Sequence, residues 1–282
     1  MRKLALSIPA LVVLALLVAG CEAALETFQE GRGLIDGLAQ RDGWRRVSHA
    51  GQGFSFVSYQ RLAPGRDLVV YIEGDGASRL DRRLPADPTP QTPDTFLLAI
   101  DDPAPTKLYL ARPCQFLSED QLARCSPLYW STHRHAPEVI AALSAAIDRA
   151  KAASGASRVL LHGKSGGGVA AALIAAQRDD VAFVMTAVAY LDVALWTKTL
   201  DVTPLSGSRN PVDFTARLAG VPQVHLLGGR ARIVPPAVAQ SYAARLPPGA
   251  PITMAVIPDF DHDCCWKRRW PALLAQCRPP LR

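Results

Sequence analysis

Val159-Leu160-Leu161-His162-Gly163-Lys164-Ser165-Gly166-Gly167-Gly168 passes from a short apolar run straight into a helical pattern that extends over 167–177. A serine spaced from glycines as G-x-S-x-G therefore stands at a predicted strand-to-helix junction. A junction of this kind calls for a tight turn, in which the serine would take a strained backbone conformation and its glycine neighbours would let other backbone approach. Its hydroxyl projects beyond the strand ends. The helix behind it turns its N-terminal dipole and the free N–H of Gly166 toward negative charge developing at that point. Gly163-Lys164-Ser165 also occurs in phosphate-binding loops, but such a loop needs a further glycine where this chain has Arg158.

Outward from this stretch, short, β-branched, near-continuous apolar runs recur at 54–59, 68–72, 107–111, 159–161, 181–191, 224–227 and 252–257. Runs of this kind suit strands buried on both faces. Leu62-Ala63-Pro64-Gly65-Arg66 between the first two is a hairpin signal. Helical patterns at 137–152, 167–177, 236–246 and 263–276 separate the later runs. The expectation is an α/β domain over 53–282: a mostly parallel central sheet, an antiparallel opening hairpin, helices on both faces and right-handed crossovers. The proline-rich segment 84–93 breaks regular structure, and 22–52 is expected to hold a tether and a helix packed on the body.

Four motifs together resemble the α/β-hydrolase superfamily, and within it a branch of bacterial lipoproteins: the elbow around Ser165, Glu73-Gly74-Asp75-Gly76, Arg112-Pro113-Cys114-Gln115, and Phe260-Asp261-His262-Asp263-Cys264-Cys265-Trp266. The resemblance spans about residues 50 to 277. It implies a serine esterase or lipase that works through an acyl-enzyme on a small-molecule ester or lipid-like substrate, with no cofactor. Ser165 attacks, and His262, in the loop between the last strand and the last helix, is the base; imidazole is the side chain suited to titrate near neutral pH. The backbone N–H groups of Gly166 and Asp75 would hold the oxyanion. The orienting acid is the gap. Relatives commonly carry it in G-x-x-D-x-x-V-P after the penultimate strand, where this chain has Ala231. Asp192, after the preceding strand, is the substitute candidate. Asp259, Asp261 and Asp263 rank lower, because to reach the far ring nitrogen of so close a neighbour needs an unusual turn. Lys164 departs from the family's aromatic or histidine, and puts a cation beside the serine that is either solvated or suited to an acidic substrate. Ala231 also motivates a different class, an envelope protein that keeps the fold, binds its ligand and has lost the triad; a peptidase is a third reading, since fold and triad do not separate ester from amide cleavage.

The first residues point to the cell envelope. Met1-Arg2-Lys3 is cationic and 4–20 carries no charge, so 1–20 is expected to be an export signal. Leu17-Val18-Ala19-Gly20-Cys21 resembles the bacterial lipobox, which would make Cys21 the acylated first residue of a tether and N-terminal segment over 21–52. Each buried CH₂ of an acyl chain contributes ~0.8 kcal/mol to membrane attachment. Glu22, rather than aspartate, leans toward the outer membrane facing the periplasm. The net charge of +6 includes Arg2 and Lys3, and the other cations are scattered among acids, so nucleic acid is not an expected partner.

With Cys21 set aside, five cysteines remain, an odd number that leaves one thiol unpaired in a monomer. Cys114 and Cys125 enclose a short polar loop and are expected to form a disulfide, with Cys277 and one of Cys264 and Cys265 as the second pair. His133, His135 and the Cys264-Cys265 pair lack zinc-ligand spacing, so no metal is expected.

Overall fold

The computed structural model describes residues 31–77 and 84–281. The expected signal peptide over 1–20, the expected lipidation at Cys21 and the start of the expected tether lie outside the described residues. Helix α1 covers 31–41 and buries Ile35 and Ala39. Strand β1 (Arg45–Ala50) then pairs antiparallel with β2 (Ser55–Arg61), and β3 (Asp67–Ile72) is followed by α2 (Asp94–Ile100) and β4 (Lys107–Leu110). After a short α3 (Glu119–Leu122) come α4 (Pro137–Ser154), β5 (Arg158–Lys164), α5 (Gly166–Ala175), β6 (Val181–Ala187), α6 (Val193–Thr199), a short α7 (Thr215–Leu218), β7 (Gln223–Gly228), α8 (Pro236–Ala243), β8 (Ile252–Ile257) and α9 (Trp266–Cys277).

The eight strands form one sheet in the order β1-β2-β4-β3-β5-β6-β7-β8. β2 is antiparallel to β4, and every pair from β4 to β8 is parallel. All residues of β3, β4 and β7 are buried, which is why these strands read as near-continuous apolar runs. The C-terminal ends of β3, β5 and β8 thus open on one edge, where an α/β sheet presents ligand-binding loops.

Two expectations are corrected. The 62–66 segment does not close a hairpin, because β4 lies between β2 and β3; the opening hairpin is β1 with β2. β1, Arg45-Arg46-Val47-Ser48-His49-Ala50, is a mostly exposed edge strand and carries no apolar run to announce it. The sheet accordingly begins ahead of residue 53. Among the cysteines, Cys114 and Cys125 are bonded, with Cα atoms 6.1 Å apart. Cys264 bonds to its neighbour Cys265, and Cys277 is a free thiol, not their partner. Cys265 caps the start of α9 and Cys277 ends it. The twelve-residue helix that ends in Cys277 sets the two ~18 Å apart, far beyond the ~7 Å Cα separation that a disulfide bridges.

Candidate active site

Ser165 joins β5 to α5 with φ 53° and ψ −125°, a left-handed conformation that a non-glycine residue adopts only where its surroundings enforce it. The glycines around it make room for that turn. A Cβ on Gly163 would overlap the Gly167 carbonyl and the Gly168 nitrogen, and a Cβ on Gly167 would overlap the carbonyl oxygens of Ile72 and Glu73. The second contact brings the end of β3 against the start of α5. The Gly166 N–H is the first of that helix and has no intrahelical acceptor. Gly74 packs close to Ser165, so the turn carrying Asp75 lies beside the hydroxyl.

His262 reaches the same point from the loop between β8 and α9. Its Nε2 is 3.1 Å from Ser165 Oγ, and its Nδ1 is 2.9 Å from Asp263 Oδ1. With Asp263 ionised, Nδ1–H donates to the carboxylate and Nε2 is left to accept the serine proton. Burial pulls the imidazole below its ordinary pKa; Asp263 pulls it up, Lys164 down and Asp94 up. It is therefore neutral at neutral pH, the form a general base requires.

That the adjacent residue faces the far ring nitrogen is the work of Asp261. Its Oδ1 accepts the backbone N–H groups of Asp263 (2.8 Å) and Cys264 (2.7 Å), while the Asp261 N–H donates to the Cys264 carbonyl (3.1 Å). Trp266 Nε1 donates to the Asp261 carbonyl and ties the turn to α9. Sequence separation ranked Asp263 low because it carries no sign of this self-bonded turn.

Asp192, the acid expected from sequence, is occupied elsewhere. It caps α6 through the Leu195 N–H (3.1 Å) and accepts from Ser241 Oγ (2.8 Å) and Arg245 Nη1 (2.6 Å). None of its partners is His262. Ala231 stands in the turn after β7, where its N–H donates to the Gly228 carbonyl, and supplies no carboxylate.

Asp75 has a larger part than its backbone. Its buried carboxylate accepts from Arg134 (3.1 Å), Arg112 (3.4 Å) and the Tyr190 hydroxyl. Burial alone would raise its pKa, but the two guanidinium groups outweigh that and hold it at about 2. Arg112 also donates to the Gly166 carbonyl (3.0 Å) and to the Arg134 carbonyl, and Gln115 Nε2 donates to the Gly74 carbonyl (3.1 Å). The Arg112-Pro113-Cys114-Gln115 motif thus braces both turns that flank the serine. Arg112, Gln115 and Arg134 are site residues to which sequence reasoning gave no role, and Asp263 is one it ranked low. Arg112 and Gln115 lie in one quoted motif and Asp263 in another; nothing signalled Arg134.

A cleft of about 860 Å³ lies over Ser165 and His262. Its lining includes the apolar side chains of Trp196, Leu200, Val202 and Ile233 and the charged ones of Arg134, Asp94 and Lys164. Trp196 stacks on Tyr190 with ring centroids 4.1 Å apart.

No protein-family model matches the sequence, and neither does any curated protein. Solved structures do match in fold. The esterase Pf2001 of Pyrococcus furiosus superposes with a TM-score of 0.55 at 11% identity, over 84% of this chain and 91% of the esterase. Est1E from Butyrivibrio proteoclasticus gives 0.56 at 12% identity, over 83% and 96%. The acylaminoacyl peptidase of Pyrococcus horikoshii gives 0.56 at 11% identity over 78% of this chain, which spans only 37% of that longer protein.

Proposed function

On the premise that this chain has the α/β-hydrolase fold, as its sheet order and its structural neighbours show, we propose that it is a serine hydrolase that cleaves carboxylic esters through an acyl-enzyme. The observation that carries the reading is the relay Asp263 Oδ1, His262 Nδ1, His262 Nε2, Ser165 Oγ, with steps of 2.9 and 3.1 Å. Ser165 attacks the acyl carbonyl as its proton passes to His262 Nε2, and Asp263 stabilises the imidazolium. The N–H groups of Gly166 and Asp75 receive the oxyanion. His262 then protonates the leaving alcohol and activates the water that releases the acid. The apolar side chains of Trp196, Leu200, Val202 and Ile233 in the cleft lining suit a hydrocarbon acyl group, which favours an ester over a charged peptide.

The test is turnover of p-nitrophenyl butyrate together with labelling by a fluorophosphonate probe, mapped by peptide. Both are expected in the native chain and absent in Ser165→Ala. A folded native chain that neither labels at Ser165 nor turns over the ester is a binding protein on a hydrolase fold.

The cell envelope is the proposed location, and it rests on 1–21: a cationic start, an uncharged run and Cys21 in a lipobox-like setting. Metabolic labelling with an alkynyl fatty acid is expected to mark the chain and to be lost in Cys21→Ser. Labelling that survives that substitution removes the anchor from the proposal.

A further inference from the structure

Lys164 is the residue between Gly163 and the nucleophile, and its ammonium is paired with carboxylates of the chain itself. Its side chain is only 6% exposed, and its ammonium lies 2.6 Å from Asp94 Oδ2 and 3.7 Å from Asp263 Oδ1. A buried cation is costly unless it is paired, and here two carboxylates pair with it. The oxygen it faces on Asp263 is the same Oδ1 that faces His262 Nδ1 at 2.9 Å.

Asp263 needs such a partner. Its side chain is 76% exposed, so water competes for both carboxylate oxygens and the side chain retains rotamer freedom. A hydrogen bond from one imidazole N–H does little to hold an exposed carboxylate in one orientation. An orienting acid works only while its geometry is fixed. Lys164, itself buried at the end of the central strand β5, meets that need, and Asp94, the first residue of α2, anchors the same ammonium at 2.6 Å.

We propose that Lys164 and Asp94 are positioning residues for this site: Asp94 fixes the Lys164 ammonium, and the ammonium holds Asp263 Oδ1 against His262. The proposal rests on the serine-hydrolase reading and explains how a surface carboxylate next in sequence to its histidine serves as the orienting acid. It also gives the G-x-S-x-G variable position a task beyond spacing.

The test combines steady-state hydrolysis of p-nitrophenyl butyrate with the downfield proton resonance of His262 Nδ1–H, assigned by its loss in His262→Ala. Lys164→Met is expected to lower kcat by about 10- to 100-fold with KM changed less than about 3-fold, since the interaction is with the relay and not with bound substrate. Lys164→Arg is expected to restore most of the loss, because the guanidinium again offers a cation to both carboxylates. In an Asp263→Asn background the same Lys164→Met change is expected to cost less than about 3-fold, as residues acting through one another are non-additive. The Nδ1–H resonance should be broadened or lost in Lys164→Met and in Asp94→Asn.

Full additivity of Lys164→Met with Asp263→Asn, or an unaltered resonance in both single variants, overturns the proposal. Where Lys164→Met melts far below the native chain, Asp94→Asn carries the test, since Asp94 is 41% exposed and its substitution leaves the core intact. A native chain that shows the resonance, loses it in Asp94→Asn and still hydrolyses no ester refutes the hydrolase reading while the clamp stands.

Discussion

Asp263 and His262 are bonded side chain to side chain although they are neighbours in the chain, and the acid role at this site turns on that one contact. Asp263→Asn is expected to lower kcat by about 10² to 10⁴-fold, as loss of an orienting acid does elsewhere. Asp192→Asn should leave kcat within about 3-fold, because it touches α6 and α8 and not the imidazole. Kinetics on p-nitrophenyl butyrate check both, and the opposite ranking returns the acid to Asp192. The pH dependence has a definite sign. The base must be neutral, so kcat/KM is lost as pH falls through the His262 pKa, and burial places that limb below the ordinary 6.5. Asp263 raises this pKa, so Asp263→Asn should move the limb to lower pH as well as lower the plateau. The places of Ser165 and His262 at strand ends were readable because glycine spacing and loop position are properties of the chain itself. The partner of His262 Nδ1 was not, since it depends on two hydrogen bonds to Asp261 Oδ1 that no spacing encodes.

At the scale of elements, the turn 261–264 is a unit whose shape is set by one carboxylate. Asp261→Ala removes the acceptor of two backbone N–H groups and is expected to lower kcat by about 10-fold or more while changing stability little, the turn being exposed. Equilibrium unfolding beside kinetics measures the split. A loss of stability with unchanged kcat assigns Asp261 to folding alone. The same contrast between local and non-local information divides what sequence revealed of the elements. β3, β5 and β7 carry buried apolar runs and were legible. β1 was not, because an edge strand with exposed arginines has no burial to record, and the insertion of β4 between β2 and β3 is a matter of topology that a turn-like segment at 62–66 cannot report. Arg112 and Gln115 are likewise non-local. They stabilise the turns at Gly166 and Gly74 from a loop more than thirty residues away from either, so a motif marked their position without saying what it braced.

For the molecule as a whole, the buried histidines couple stability to pH. His162 and His225 are fully buried and burial depresses both to about 3, His135 is driven well below its ordinary value by burial and Arg112, and His49 falls to about 4 through burial and Arg149. His225 shows why the neutral form is preferred: Nε2–H donates to Gln223 Oε1 (3.2 Å), Nδ1 accepts the Thr186 hydroxyl (2.8 Å), and no carboxylate is bonded to it. In the unfolded chain each imidazole titrates near 6.5. Below that value the unfolded state binds protons that the folded state refuses, so unfolding free energy falls with decreasing pH until the folded pKa is reached. Each such histidine contributes a slope of up to ~1.4 kcal/mol per pH unit. Stability is therefore expected to be full above about pH 7 and to decline between 6.5 and about 3. Near and below pH 4 the decline is joined by Asp75, held at about 2 by Arg134 and Arg112 against its burial, whose contribution is lost as the carboxylate is protonated. Denaturant unfolding at pH 7, 6, 5 and 4.5 measures the slope, and His225→Gln should reduce it by about one proton's worth whatever that substitution does to stability at pH 7. A slope unchanged by His225→Gln would mean that this imidazole charges freely in the folded chain, and that the interior around β6 and β7 admits the water its burial denies.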